Sequence, residues 1–545
     1  MKRLVRAGTA ATVVSLGLLL INPVFAQKAG GMMRVGHFDS PASMSLLEES
    51  TVAVNRPMMG VFNNLVVYDQ HVAQNSPKSI VPDLATGWAW SEDGKELTLP
   101  LHHGVKWHDG KPFTAADVKC TWDLLMGTGS DKLRINPRKG WYANLEKVTT
   151  NGDYEVTFHL KEPQGAFLAL LASGWSAIYP CHVPAAQMRQ HPIGTGPFKF
   201  VEFKPNEHIL VTKNPGYWKQ GRPYLDGIEW VIIKNMSTRT LSFIAGKTNY
   251  LPGVTPPVLK EIKEQAPNAI CEGVPANVSR NVLINREAPP FDNAELRRAV
   301  MLTIDRKAFN DILYDGKGSI GEAMLPPPAG LWGMPAEMTA TLPGYGPDVD
   351  QRRAEARKIM EKLGYGPDHH LAVEMATRDV SYYRDPAVIL IDQLKQIYID
   401  ADLKPIDTTQ WYPTVMRKDY KIAVNIAESE VDDPDPIFFE NYVCGGVRNY
   451  SNYCNSEVDK LVKQQSVESD IEKRRKLVWK IEQILAQDVA RPILFYPYGI
   501  TCRQPELKGT TLMVNSIYNG NRFEDAWLDQ GDTGGRPQAA SAAGK

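Results

Sequence analysis

The chain has 545 residues, of which 61 are Lys or Arg and 62 are Asp or Glu, so its formal net charge at pH 7 is −1. This balance, with both signs mixed along the chain, excludes the basic surface that nucleic acid binding requires. Because single hydrophobic cores stop growing at about 250–300 residues, we expect two or three lobes. Six cysteines in a chain of this size predict a few disulfides on an ordinary core.

The first 26 residues have the pattern of a secretory signal peptide. Three basic residues precede an apolar run over residues 12–21, and residues 24–26 (Val-Phe-Ala) offer small residues at positions −3 and −1 of a cleavage site. The run is shorter than the roughly 20 residues that a bilayer-spanning helix needs. No Cys follows the cleavage site for lipid attachment. We therefore expect an exported, soluble, periplasmic protein whose mature form begins at Gln27.

The next elements that the sequence predicts are two strands and a helix between them. Residues 96–101 and residues 154–160 alternate apolar and polar side chains, as half-buried strands do. Pro100 cannot donate a ladder hydrogen bond, so it predicts a sheet edge or the end of regular pairing. Thr114 followed three residues later by Asp117 predicts a capping box at the start of a helix.

Two further segments can be assigned near the end of the chain. Residues 477–485 carry one apolar stripe at helical spacing, which predicts an amphipathic helix. Residues 534–545 are rich in Gly, Ala, Ser and Pro and predict a disordered tail. Strands and helices are thus interspersed throughout, which favours a mixed α/β protein over a β-sandwich or a helix bundle.

The cysteine spacing indicates one disulfide. Cys444 and Cys454 flank Gly445-Gly446 and a polar stretch, so a short loop can bring them together. The pairing of the other four stays open: Cys120, Cys181, Cys271 and Cys502. Metal binding is the alternative use of these thiols, but the chain has no C-x-x-C spacing.

Six sequence motifs occur in a fixed order along the chain. They lie at residues 82–94 (Pro-Asp-Leu-Ala-Thr to Asp-Gly), 101–118 (Leu-His-His-Gly-Val-Lys-Trp-His-Asp-Gly to Ala-Asp-Val), 193–198 (Ile-Gly-Thr-Gly-Pro-Phe), 213–218 (Lys-Asn-Pro-Gly-Tyr-Trp), 290–306 (Pro-Phe-Asp to Ile-Asp-Arg) and 451–461 (Ser-Asn-Tyr to Asp-Lys-Leu). In content and order they resemble the extracellular solute-binding protein family 5, the dipeptide and oligopeptide receptors of ABC importers. The resemblance spans most of the mature chain.

The resemblance implies an α/β fold of the two-lobed periplasmic binding protein kind (type II, cluster C), with an extra domain inserted in the first lobe. We place the final hinge crossing around residues 493–500. The predicted division is: signal peptide 1–26, first lobe 27–55, inserted domain 56–190, first lobe again 191–284, second lobe 285–500, first lobe again 501–533, and disordered tail 534–545. A receptor of this kind closes around its solute and delivers it to an inner-membrane ABC permease. We expect a monomer.

A zwitterionic solute buried between lobes needs a cation for its carboxylate and an anion for its ammonium. In the receptors that the chain resembles, an Arg and an Asp fill these roles. Alignment by neighbouring motifs puts Arg378 at the first place, with Arg384 as its competitor. Glu430 stands at the second place, with Asp432 adjacent. Glu is one methylene longer than Asp, so either the ligand differs or its ammonium lies farther away.

Four other side chains are candidates because receptors of this kind have wet, aromatic-lined pockets. They are Trp411, Tyr412, Asn449 and Tyr450. Core packing is the alternative interpretation of Trp411. Ordinary surface charges are the alternative interpretation of Arg378 and Glu430.

Catalytic and metal-binding functions have little support in the sequence. The chain has no G-x-S-x-G, S-x-x-K, H-E-x-x-H or P-loop motif, so we expect neither an enzyme nor a cofactor. His102, His103 and His108 are close together, but neighbouring residues of an extended segment point in opposite directions, so we expect no metal site.

Several alternatives stay open. The solute could be an opine, an oligosaccharide, a metal chelate or an aromatic acid in place of a peptide, because one fold serves many ligands. Alternatives of another class are a secreted hydrolase, which would turn over a substrate alone, and a periplasmic chaperone, which would suppress the aggregation of clients.

Overall fold

The computed structural model describes residues 27–529, so the predicted signal peptide and tail lie outside the described residues. The strands are β1 (Met32–His37), β2 (Val66–Tyr68), β3 (Ile80–Pro82), β4 (Ala89–Trp90), β5 (Glu96–Pro100), β6 (Leu145–Thr150), β7 (Glu155–Leu160), β8 (Phe198–Lys204), β9 (His208–Lys213), β10 (Gly227–Ile232), β11 (Tyr250–Val254), β12 (Ile270–Pro275), β13 (Val278–Ile284), β14 (Leu371–Arg378), β15 (Ile399–Ile406), β16 (Ile422–Glu428), β17 (Ile493–Phe495), β18 (Tyr498–Arg503), β19 (Leu507–Lys508) and β20 (Trp527–Leu528).

Helices are interspersed with these strands. They are α1 (Val52–Met59), α2 (Ala115–Met126), α3 (Phe167–Ala172), α4 (Met236–Ile244), α5 (Pro256–Gln265), α6 (Ala294–Thr303), α7 (Arg306–Tyr314), α8 (Ala336–Thr339), α9 (Val349–Lys362), α10 (Ser381–Lys395), α11 (Thr408–Arg417), α12 (Pro434–Asn441), α13 (Ser456–Val467) and α14 (Ile471–Gln487). Among the residues described, none of these helices combines the length and the hydropathy that crossing a bilayer requires.

Three sheets of four or more strands organise the described chain, beside the two-stranded sheets β2-β3 and β19-β20. A seven-stranded sheet has the order β12-β18-β11-β1-β10-β9-β8, and a five-stranded sheet has the order β15-β14-β16-β13-β17. A four-stranded antiparallel sheet, β4-β5-β7-β6, is built from one continuous stretch of chain. Both larger sheets mix parallel and antiparallel pairs. The mixed α/β class that the sequence predicts is therefore present.

The chain passes between the two larger sheets at two adjacent places. The first connection, Ala276-Asn277, joins β12 to β13, and the second, Tyr496-Pro497, joins β17 to β18. The Ala276 amide donates to the Pro497 carbonyl at 3.1 Å, so the connections run side by side. β13 belongs to the five-stranded sheet, although the predicted division assigns its residues to the first lobe. That division into domains stays a prediction.

Local sequence signals explain several of these elements. The Thr114 amide donates to the Asp117 carboxylate at 3.0 Å, in the capping box that starts α2. β5 ends at Pro100, which is the last residue paired with β7, opposite Glu155. α14 buries the apolar stripe predicted for residues 477–485.

Disulfides connect the six cysteines in pairs. The bridges are Cys120–Cys181, Cys271–Cys502 and Cys444–Cys454. Cys271 and Cys502 are directly opposite each other on β12 and β18, so this bridge joins two neighbouring strands of the seven-stranded sheet. The bridge Cys444–Cys454 closes the short loop between α12 and α13.

Candidate ligand-binding site

A cavity of about 1170 Å³, including its mouth, lies between the seven-stranded and the five-stranded sheet; we call it the cleft cavity. One wall comes from α1 and β11, and the opposite wall comes from β13 and β16. Both connections between the sheets also contribute, through Ala276 and Pro497. A movement of one sheet about these connections would therefore open or close the cavity.

The walls are mainly apolar and aromatic. Six tyrosines line the cleft cavity: Tyr250, Tyr314, Tyr382, Tyr383, Tyr412 and Tyr498. Tyrosine combines a large apolar ring with a polar hydroxyl, and small-molecule sites typically combine such walls with a few well-placed polar groups.

Strand geometry brings two opposite charges to one wall. In the antiparallel pair β13 and β16, Val278 is opposite Glu428 and Arg280 is opposite Ile426. Alternate residues of a strand share a face, so Arg280 and Glu428 both point into the cleft cavity. Each of these two charged residues is therefore paired with an apolar residue on the neighbouring strand.

Arg378, the predicted carboxylate partner, is the last residue of β14 and lines the cleft cavity. Its guanidinium already has protein partners: it donates to the Asp39 carboxylate beyond β1, to Thr408 Oγ1 at 2.8 Å and to Tyr383 OH at 3.4 Å. Burial lowers the pKa of Arg378, but Tyr383 and Asp39 outweigh burial, so its pKa is raised. Arg378 thus forms an ion pair that connects the two sheets.

Glu428 is the acidic side chain of the cleft cavity wall. It is 8% exposed, and within residues 27–529 its Oε2 has no hydrogen-bond partner. Burial raises its pKa to about 7, although the charges of Arg448 and Arg280 oppose that shift. A carboxylate of this kind is ready to accept a hydrogen bond from a cationic ligand group.

Glu430 and Asp432 lie outside the cleft cavity wall. Glu430 is buried, and its Oε1 lies 3.2 Å from Arg448 Nη1, which also contacts Glu440 at 3.0 Å. Asp432 accepts hydrogen bonds from Asn515 Nδ2 at 2.8 Å and from the Leu331 amide at 3.3 Å. Burial raises the pKa of both carboxyls, that of Asp432 to about 7.

The other predicted residues are divided between the core and a second cavity. Trp411 is fully buried and donates to Asn425 Oδ1 at 3.2 Å. Asn449 holds the loop of the Cys444–Cys454 bridge through the carbonyls of Val443 and Tyr453. These contacts agree with core packing for Trp411 and give Asn449 a structural role, while their contact with a ligand stays a prediction.

The second cavity, about 950 Å³, is lined by Tyr450 together with Tyr412 and Arg448; we call it the side cavity. Tyr412 and Thr51 belong to the walls of both cavities, so the two spaces are neighbours. Arg384, the competitor of Arg378, lines neither of these cavities. It forms an exposed ion pair with Asp379 at 2.8 Å.

The three clustered histidines have separate surroundings. His102 packs on Trp218 at 4.8 Å between ring centroids, His103 packs on Tyr154 at 3.8 Å, and His108 Nε2 lies 3.0 Å from a backbone carbonyl. Over residues 27–529, His, Cys, Asp and Glu side chains form no group of three or more that could hold a metal ion.

Sequence reasoning missed Arg56, Arg280 and Glu428, which all line the cleft cavity. Each is the only charged residue of a mainly apolar element: Val-Ala-Val-Asn-Arg-Pro-Met-Met in α1, Val-Ser-Arg-Asn-Val-Leu-Ile in β13 and Ile-Ala-Val-Asn-Ile-Ala-Glu in β16. A lone charge within a mainly apolar element is unusual, so this pattern singles out the three residues, although it does not show that they share a cavity.

Comparison with known proteins identifies relatives along most of the chain. The chain is 26% identical over 459 residues to di/tripeptide-binding protein 1 of Pseudomonas aeruginosa, covering 79% of this chain and 82% of that protein. It is 26% identical over 460 residues to a glutathione-binding protein of Escherichia coli, covering 82% of this chain and 85% of that protein. The fold matches the periplasmic binding protein DppA of Helicobacter pylori in complex with the peptide STSA, with a TM-score of 0.81 and 22% sequence identity. The match covers 92% of this chain and 99% of that chain.

The structural match confirms the predicted two-lobed binding-protein fold, while the inserted domain stays a prediction. The family model of bacterial extracellular solute-binding proteins, family 5 (middle), matches residues 79–449, more than half of the chain. Members of this family bind solutes and are not enzymes, as we expect from the absence of catalytic motifs. The chain therefore belongs to the bacterial extracellular solute-binding proteins of family 5.

Proposed function

We propose that this protein is the solute-binding subunit of an ABC importer, which binds a di- or oligopeptide, or a similar solute, in the cleft cavity. The observation that carries the proposal is the position of the cavity between two sheets that are joined by two adjacent connections, at 276–277 and 496–497. A solute in this position contacts both walls. Such a ligand favours the closed arrangement, because it makes more contacts there than in the open one.

The peptide class is supported by the relatives and by the chemistry of the wall. The relatives named above are a di/tripeptide-binding and a glutathione-binding protein. The cleft cavity offers arginines for a carboxylate, Glu428 for an ammonium and tyrosine rings for side chains of varied shape. Arg378 remains a proposed contact of the ligand carboxylate, because a guanidinium has five N–H donors and can bind the ligand and Asp39 at the same time.

The remaining parts of the proposal concern location and partners. We propose that the segment 1–26 directs export and that the mature protein works in the periplasm as a monomer, passing its solute to an inner-membrane permease. N-terminal sequencing of the protein from the periplasmic fraction should begin at Gln27. A chain that retains residues 1–26 in the cytoplasm would contradict the export proposal.

Peptide binding and closure can be tested together. We expect an equimolar dipeptide mixture to raise the melting temperature of the purified protein, because a ligand that binds the folded state stabilises it by mass action. Small-angle scattering should show a smaller radius of gyration with the mixture, and mass spectrometry should recover the peptides unchanged. Peptide cleavage, or no response in either measurement, would contradict the proposed function.

A further inference from the structure

Two arginines face the cleft cavity from opposite walls without an acidic partner. Arg56 lies on α1, beside the seven-stranded sheet, and Arg280 lies on β13 of the five-stranded sheet. In the part of the chain that the structure describes, no carboxylate oxygen lies within 4.0 Å of either guanidinium. Among residues 27–529, Arg280 donates only to the Val278 carbonyl, at 3.3 Å, and its guanidinium lies 6.0 Å from the Tyr382 ring. Burial lowers the pKa of Arg56, as is usual for a cation that lacks a close counter-ion.

The third arginine of the cavity differs from these two. Arg378 is neutralised by Asp39, which is fully buried beside it. Glu428 is the one acidic side chain among the described residues that line the cleft cavity. With Glu428 ionised, Arg56, Arg280 and Glu428, here called the cleft charges, therefore leave an excess of one positive charge in the cleft cavity.

An uncompensated buried charge is costly, and a bound ligand can remove the cost by supplying the counter-ion. A neutral zwitterion would place its ammonium on Glu428 and its carboxylate on one arginine, leaving the other arginine unpaired. A solute with two carboxylates and one ammonium would pair all three cleft charges. Because Arg56 and Arg280 come from opposite walls, a solute whose two carboxylates pair with one arginine each would also draw the walls together.

We propose that the cleft selects a net-anionic peptide-like solute, an acidic dipeptide with two carboxylates and one ammonium, by pairing it with Arg56, Arg280 and Glu428. This inference rests on the proposed function of the cleft cavity as a solute site. It goes further by assigning the charge of the solute and the residues that select it. Glu428, two residues before the predicted Glu430, is then the partner of the ligand ammonium.

Calorimetry with Ala-Glu and its amide isostere Ala-Gln tests the charge of the solute. We expect Ala-Glu to bind the full-length mature protein about 30-fold more tightly, since one charge-assisted contact contributes about 1.5–3 kcal/mol. Arg280→Gln should reduce this preference to about threefold or less, and Arg56→Gln, on the opposite wall, should do the same independently. Arg298→Gln is the matched control, because Arg298 forms an exposed ion pair with Glu355 and should leave the preference unchanged.

The outcomes separate the two proposals. Equal affinity for Ala-Glu and Ala-Gln, or an unchanged preference in both cleft variants, would overturn the acidic-solute inference while leaving peptide binding intact. If neither dipeptide binds, the proposed peptide receptor is wrong. In that case, calorimetry with glutarate and with its diamide, glutaramide, tests Arg56 and Arg280 alone. Equal affinities for these two compounds would overturn the inference as well.

Discussion

Two groups of buried or half-buried charges in this protein differ in how completely they are paired. In the first group, which we call the Arg474 cluster, Arg474 binds both Asp433 oxygens at 2.7 and 2.8 Å and also contacts Asp435 at 3.3 Å. Asp435 accepts further hydrogen bonds from Gln164 at 2.7 Å and Gln465 at 2.6 Å. The second group, the cleft charges, has no such network. Burial alone therefore does not distinguish the two groups, whereas pairing does.

The difference indicates what each group is for. A fully paired network within the protein fixes the local fold and leaves no atom for a ligand. Cations that line a cavity without a counter-ion are stabilised only when a solute supplies one. Removing a charge from the Arg474 cluster should therefore affect folding, while removing one of the cleft charges should affect binding.

The largest expected effect is on the Arg474 cluster. Arg474→Ala leaves Asp433 and Asp435 buried without their cation, which should reduce the free energy of unfolding by about 5 kcal/mol. Urea unfolding followed by circular dichroism measures the loss. Arg417→Ala is the control, because Arg417 and Asp419 form an exposed pair and the change should be at most about 1 kcal/mol. Similar losses of unfolding free energy in Arg474→Ala and Arg417→Ala would contradict the structural role of the Arg474 cluster.

The second largest effect on stability is expected at the ion pair of Asp39 and Arg378, which connects the two sheets. Asp39→Asn leaves the Arg378 guanidinium buried without its anion, so we expect a loss of about 4 kcal/mol in the free energy of unfolding. Since Asp39 and Arg378 belong to different sides of the cleft, scattering should also show a more open ligand-free protein. The double variant with Arg378→Gln should recover much of the stability. Additive losses would mean that the two residues are not coupled.

A pH dependence should identify Glu428. Its pKa is raised from 4.5 to about 7 in the folded protein, so folding favours its protonated form. Its contribution to stability is fully present below pH 4.5 and falls by about 3 kcal/mol as the pH rises to 7. Glu428→Gln cannot lose a proton, so its stability relative to the unmodified ligand-free protein should rise over this range. Glu374→Gln, in an exposed pair with Lys404, should show no such trend.

The smallest effect should be that of Arg280→Gln on ligand-free stability. No carboxylate of the described segment lies within 4.0 Å of Arg280. Its removal therefore breaks no ion pair there and should change the free energy of unfolding by at most about 1 kcal/mol. The same urea titration used for Arg474→Ala provides a direct comparison. A loss as large as that of Arg474→Ala would mean that Arg280 stabilises the fold, and it would contradict the assignment of the cleft charges to binding.

The fold was more predictable than the site, because its signals are local. The capping box of Thr114 and Asp117 and the alternation in β5 and β7 each depend on a few consecutive residues. The resemblance supplied the two-lobed architecture and Arg378. The bridge Cys271–Cys502, by contrast, joins residues 231 positions apart, and no local pattern indicates which cysteines will meet.

The cleft charges were missed for the same reason. Arg56 and Arg280 are each the lone charge of a mainly apolar element, but they face one cavity only because the fold brings α1 and β13 together. For Glu430, counting residues back from Asp433 gave the position but not the environment, since Arg448 and Glu440 surround it in the fold. Glu428 ends β16 and Glu430 follows it by two residues, and only the packed structure shows that Glu428 is the one that faces the cavity.

The most direct test of the account is a crystal structure of the protein with Ala-Glu bound. We predict a closed cleft, with one ligand carboxylate about 3 Å from the Arg56 guanidinium, the other about 3 Å from the Arg280 guanidinium, and the ligand ammonium at Glu428. A dipeptide bound in the side cavity, or one whose acidic group faces solvent, would contradict it.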